Sequence, residues 1–263
     1  MCIAKLLIIT FNIHVMKTIL TLVLIALVLS QAQLAQGITP LNSSHVYGVL
    51  DDYKVNENGK IKLAQQTKDT FDRLIFIAGK KGKLIYRPKD GKLLNPHLII
   101  DKGVLSEMIL LKRKSGKSGK EIFKGLKLNF KQQFNTAKRV FEFLADHTSI
   151  EWSLLSFSIE EQNRTYVYTT FRNDVEYFGS LKVHHLINCP LKIDSLIHYH
   201  NHPRTSVEAF GKYAFPSNSD LDFRDNILKK GIQQLEFKIR TDGIYVDYGS
   251  PEEWSKRNGE DWM

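Results

Sequence analysis

Cysteine is nearly absent from this chain, and what little there is excludes a disulfide scaffold. Cys2 lies in an apolar leader, which leaves Cys189 alone in the remainder. One thiol forms no internal bridge, so stability must come from a packed core. Cys189, next to Pro190, reads as a buried structural thiol, with a nucleophile as the competing reading. No cysteine stands where the leader ends, which excludes a lipid-modified cysteine there. No repeat of solenoid length is present either. Acidic residues are missing from positions 1–37 altogether.

Those 37 positions read as a secretory signal peptide. Lys17 precedes the apolar run Thr18 to Leu29, and small residues follow at Ser30, Ala32, Ala35 and Gly37. Met16 is a candidate start, because Met1 to Val15 adds a second apolar run. A membrane anchor built from both runs is the competing reading, against which Asn12, His14 and Lys17 interrupt the stretch. The expected location is secreted or periplasmic, with a membrane contact only through an uncleaved leader.

What remains has the make-up of a folded protein. At 263 residues the whole chain suits one sizeable domain or two small ones, and its 43% hydrophobic with 25% charged residues argues against disorder. The formal charge is +9, and removing Lys5 and Lys17 with the leader leaves +7. Much of it sits in Lys112 to Lys120. A Gly/Ser/Lys stretch of this kind reads as a solvated loop. Nucleic-acid binding is the alternative, but the stretch has no interleaved aromatics on which bases would stack.

Residues 38–130 read as a β-rich front region. Tyr53 to Val55 and Lys60 to Leu63 flank the turn-forming Asn56-Glu57-Asn58-Gly59, and Leu74 to Ile77 and Lys83 to Tyr86 flank Gly79-Lys80-Lys81-Gly82. Each reads as a hairpin. Phe134, Ala137, Val140, Phe141 and Leu144 then recur at helical spacing, predicting a helix over Lys131 to Asp146. Strands are expected at Ser149 to Ser158, Thr165 to Phe171 and Ile193 to Tyr199. A helix follows at Asn218 to Lys230, stopped by Gly231, and then a hairpin of Leu235 to Arg240 and Ile244 to Tyr248. That order predicts an α+β fold over 131–263.

The residues suited to chemistry cluster in this second part. In His198-Tyr199-His200-Asn201-His202-Pro203, side chains two apart on a strand share a face, so His200 and His202 can converge on one ion, and His198 has the same parity. A catalytic zinc wants three protein ligands and an open position. Pro216-Ser217-Asn218-Ser219-Asp220 opens the second helix. Ser217 and Asp220 there resemble a capping box, and Ser219 with Asp222 repeats the spacing. Glu151, between Ile150 and Trp152, is an acid in an apolar strand, which costs desolvation unless it has a partner. An exposed strand-end Glu is the plain alternative.

Taken together, Glu151, His200-Asn201-His202-Pro203 and Ser217-Asn218-Ser219-Asp220 resemble the JAMM (JAB/MPN) metalloprotease signature, and Tyr199 and Pro216 are also found at these places in many members. The resemblance spans about residues 131–248. It departs from the family in the longer run, 203–216, between the second His and the Ser. It implies a curved mixed sheet flanked by helices, with Zn2+ held by His200, His202 and Asp220. Glu151 would then be the acid/base and Ser217 the stabiliser of an oxyanion. It also implies hydrolysis of an amide in a polypeptide or a ubiquitin-like conjugate. The leader, the basic charge and the front hairpins look most like the bacterial JAB-like toxin branch, for which a cognate immunity protein would be a partner. A secreted nuclease or nucleic-acid binder and a metal-free MPN-like interaction module are the alternatives.

Overall fold

Strand β1 (Asp51–Asn56) buries every second residue, Asp51, Tyr53 and Val55, as a strand with one wet face does. It reverses into β2 (Ile61–Gln65) through the hairpin expected at Asn56 to Gly59. Asn56 Oδ1 accepts the backbone N–H groups of Asn58 and Lys60, and Gly59 takes a φ of +69°. Strand β3 (Phe71–Ile77) pairs in parallel with β1 and antiparallel with β4 (His97–Asp101). A four-stranded sheet results, in the order β2-β1-β3-β4. The structure is a computed structural model that describes residues 51–66, 71–77, 93–115, 121–189, 192–203 and 215–249. The turn and second strand of the hairpin expected around Gly79 to Gly82 lie outside them. The chain divides into two compact units, Met1–Tyr47 and Gly48–Met263, and every described residue belongs to the second.

The larger sheet holds seven strands in the order β11-β10-β9-β7-β8-β6-β5. They are β5 (Met108–Ser115), β6 (Glu121–Lys131), β7 (Trp152–Ile159), β8 (Gln162–Thr169), β9 (Ile193–Asn201), β10 (Gln234–Thr241) and β11 (Ile244–Asp247). Only β9 and β10 run parallel; every other pairing is antiparallel. Strands β5 and β6, which lie before position 132, belong to the same sheet as the strands that follow it. Among the described residues, three α-helices complete the α+β fold: α1 (Phe134–His147), α2 (Tyr177–Ile187) and α3 (Asn218–Leu228). None of them is long and apolar enough to cross a membrane.

Two apolar clusters pack on the two faces of this sheet. On one, Ala137, Val140, Phe141 and Leu144 of α1 meet Leu128, Trp152, Leu154 and Tyr199, together with Tyr53, Val55 and Leu74 of the smaller sheet. On the other, Phe178, Val183 and Leu186 of α2 and Ile227 of α3 meet Leu155, Phe157, Leu196 and Phe237. The middle strand β7 therefore buries residues of both parities, which explains why it reads as an apolar run.

Three expectations need correction. The first helix begins at Phe134, not Lys131, because β6 continues through Lys131, which adopts a φ of +53° and ends the strand. Lys112, Arg113 and Lys114 lie on the edge strand β5 rather than in a loop, paired with Lys124, Phe123 and Ile122; residues 116–120 lie outside the described residues. Cys189 is exposed, not buried, because α2 has ended before it and its N–H caps back to Leu186 O at 3.0 Å. The helix α2 itself was not expected. Its cap is a glutamate, Glu176, rather than a Ser, Thr, Asp or Asn, and Tyr177, Leu181 and Ile187 fall outside its buried set, which blurs the apolar face.

Candidate active site

The polar face of β9 is built by strand parity. Leu196, buried against Phe237 and Ile227, sets the direction, so His198 and His200 point to the side covered by α2 and α3, and Tyr199 turns to α1. His202 follows just past the strand end, its N–H donated to Arg240 O at 3.1 Å. His200 Nε2 and His202 Nε2 are 3.2 Å apart. Two lone pairs this close repel unless a proton or a cation lies between them.

Helix α3 brings the third group. It is anchored by buried Ile227 and by Arg224, whose Nη1 donates to Tyr248 O at 3.0 Å. At its first turn Ser217 and Asp220 form the capping box that their spacing suggests: Asp220 N donates to Ser217 Oγ at 3.3 Å, and Ser217 N donates to Asp220 Oδ2 at 2.7 Å. The same carboxylate also faces the imidazoles, with Oδ1 3.2 Å from His200 Nε2 and Oδ2 3.5 Å from His202 Nε2. The cap therefore leaves this carboxylate beside both imidazoles. Burial would raise the Asp220 carboxyl, but His200, with hydrogen bonds from His200, His202 and Ser217, outweighs it and holds the group well below the usual carboxylate range. Ser219 lines the cleft but Asp222 does not, so the geometry brings in the Ser217/Asp220 pair. Residues 204–214 of the longer run lie outside the described residues, and its length does not keep Asp220 from the histidines.

Glu151 arrives from the opposite strand. The antiparallel pairing Ser153↔His200 sets the start of β7 beside the end of β9. Glu151 immediately precedes β7, and its carboxylate, His200 and His202 each offer a donor atom within 4.8 Å of the others. Burial, then the carboxylates of Glu176, Asp220 and Asp174, push the Glu151 carboxyl well above its ordinary value. Glu176 N donates to this carboxylate. The Glu176 side chain is itself enclosed, accepting from Phe178 N, Gly179 N and Ser153 Oγ, the last at 2.7 Å. Glu176 belongs to the site, and sequence reasoning missed it because α2 was missed.

His198 does not join the donor group. It is buried against His200 and Phe223, with ring centroids 5.7 and 5.1 Å away, and neither of its nitrogens has a hydrogen-bond partner. These side chains line an open cleft of about 710 Å³, whose walls also carry Asn173, Val175 and Ser180. Pro203, buried directly after His202, also lines it.

Comparison with known families meets this geometry. Residues 129–225 match the family model described as JAB-like toxin 1. The match supports a JAB/MPN-like toxin family. It runs from β6 into α3 and takes in Glu151, His200, His202, Ser217 and Asp220. No curated protein and no solved structure matches the chain significantly.

The donor set suits a zinc ion. Around a tetrahedral ion with bonds of about 2.0–2.1 Å, neighbouring ligand atoms stand about 3.3 Å apart. His200 Nε2 stands 3.2 Å from His202 Nε2 and 3.2 Å from Asp220 Oδ1, as two edges of such a set require. Two imidazoles and one carboxylate are also the ligand types of catalytic zinc sites with an open position.

Proposed function

We propose that this chain is a zinc-dependent amide hydrolase of JAMM type, serving as an exported toxin effector that cuts a polypeptide or a ubiquitin-like conjugate. The observation that carries the reading is the convergence of His200, His202 and Asp220 with Glu151 beside them, from three separate elements. His200, His202 and Asp220 would hold Zn2+. Asp220 takes the third position in preference to Glu151, because Ser217 anchors one of its oxygens and presents the other to His200 at 3.2 Å. When bound, zinc supplies a Lewis acid and a water of lowered pKa.

The remaining work falls to the side chains. Glu151, in its dry position, takes a proton onto its carboxylate and hands it to the leaving amine. A raised carboxyl is suited to holding that proton between the two steps. Ser217 donates its hydroxyl to Asp220 Oδ2 at 2.7 Å and so steadies the ligand. Turned from that oxygen, the same hydroxyl would donate to an oxyanion in the cleft. The open cleft beside the donors, where Val175, Pro203 and Phe223 stand among polar and charged groups, would accept an extended chain, and an immunity protein would act by covering it.

Metal analysis and one variant test the reading. Purified protein should carry about one zinc per chain, and should cleave peptides or ubiquitin conjugates. Glu151→Gln should keep the fold and the zinc and abolish cleavage. Cleavage by Glu151→Gln at the parental rate would refute the assigned chemistry. Protein that folds and never retains zinc would point instead to a metal-free interaction module.

A further inference from the structure

The residue between the two histidines is an unassigned part of the machinery. Asn201 faces away from the cleft and is only 1% exposed. Its Oδ1 accepts the N–H of Trp152 at 2.7 Å, and its Nδ2 donates to the C=O of Ile150 at 3.2 Å. These are the two backbone groups on either side of Glu151. The backbone register of β7 and β9 runs out at Ser153↔His200. Beyond it, the planar amide of Asn201 takes over the pairing that a further peptide unit would have made.

Resting on the hydrolase reading above, we propose that Asn201 is the positioning residue that aims Glu151 at the paired imidazoles. The rest of the Glu151 backbone is held from the other side. Its N–H donates to Arg172 O at 2.7 Å and its C=O accepts Thr169 Oγ1 at 2.7 Å. The two restraints from β8 and its following turn fix residue 151 to one neighbour, and among the described residues Asn201 ties Ile150 and Trp152, on either side of it, to β9. Since Asn201 lies between His200 and His202 on one stretch of backbone, acid/base and ligands share a frame. A carboxamide of this length accepts from Trp152 and donates to Ile150 at any pH, which an ionised aspartate does not. Aspartate keeps the first bond and sets a negative oxygen against the Ile150 carbonyl. Leucine keeps the shape and makes neither bond, leaving two buried backbone groups unsatisfied.

Asn201→Asp and Asn201→Leu in the full chain test this, with Glu151→Gln as reference. Cobalt(II) is the probe: stoichiometry reports the ligands, and visible absorption reports the groups next to the ion. Both Asn201 variants should bind cobalt as the parent does and shift the absorption bands as Glu151→Gln does. Hydrogen exchange at the Trp152 amide should be faster in Asn201→Leu and near parental in Asn201→Asp. Where cleavage is measurable, kcat should fall on the order of 100-fold with KM unchanged, as expected when a catalytic group is displaced by about 1 Å. Parental absorption and parental Trp152 exchange in Asn201→Leu would overturn the proposal. So would loss of cobalt from Asn201→Asp, which would make Asn201 a support of the ligands instead. If no variant and no parent binds cobalt, the hydrolase reading fails by itself, and the exchange result still decides whether Asn201 holds the segment around Glu151.

Discussion

Ser217 directs both its backbone N–H and its hydroxyl at Asp220 Oδ2, each at 2.7 Å, while the other oxygen of Asp220 stands 3.2 Å from His200 Nε2. One carboxylate thus starts helix α3 and closes the donor triangle. Ser217→Ala therefore has two expected consequences. Loss of the cap should lower stability by about 1 kcal/mol, and loss of an outer-shell hydrogen bond should weaken zinc binding by about 10- to 100-fold. Denaturant unfolding and competition with a chromophoric chelator measure the two. Zinc affinity equal to the parent's would mean that Ser217 is only a cap.

His198 gives a prediction of opposite sign. Its ring nitrogens are buried without partners, and burial depresses its pKa to about 3, so it stays neutral and unsatisfied behind His200. His198→Phe removes those polar atoms and adds an aromatic face towards Phe223. Stability should rise by about 1 kcal/mol, with zinc stoichiometry unchanged. A variant that loses zinc would make His198 a ligand after all.

The front hairpin touches the segment that carries Glu151. Glu57 O accepts Ser149 N at 2.9 Å, and a Cβ on Gly59 would stand 2.1 Å from Ile150 Cδ1 and 3.0 Å from Trp152 Cζ2. Gly59 also holds a φ of +69°, which a side chain resists. Gly59→Ala should cost about 1 kcal/mol or more. The position of Glu151 should shift with it, read as a lower kcat with zinc retained. Parental melting temperature in Gly59→Ala would contradict this packing.

Asp72 sets a pH dependence away from the cleft. It is fully buried on β3, with Oδ2 accepting Gly103 N at 2.9 Å and Oδ1 unpaired. Burial first, with Asp51 adding to it, raises its carboxyl against the lowering by Gly103 and Leu105 N–H. A folded pKa above the unfolded one means that the native state binds the extra proton. Its stability contribution is present below the unfolded value of about 3.9 and is lost as pH rises through the folded value. Asp72→Asn should lack that loss, so the gap between variant and parent should change across this window. Unfolding midpoints that move in parallel with pH would rule it out.

The local patterns were open to reading because they depend on neighbours in the chain. Apolar spacing in Phe134 to Leu144 marks α1, the Asn56 to Gly59 turn marks its hairpin, and His200 and His202 share a face by strand parity alone. Helix α2 was not legible, because its cap is a glutamate, its apolar face is blurred, and the burial of that cap beside Ser153 of β7 is a tertiary contact. The exposure of Cys189 was hidden for the same reason: it depends on where that helix stops.

Composition and motif spacing alone determined the kinds of donor atom available, the pairing of His200 with His202, and the cap that joins Ser217 to Asp220. Only the tertiary structure decided that Glu151, some 50 residues before the histidines, stands within 4.8 Å of them, and that His198 stays outside the group. The reason is physical. Spacing of two or three residues is set by backbone geometry, whereas the approach of Glu151 depends on antiparallel pairing of β7 with β9 and on one buried amide, Asn201, between them.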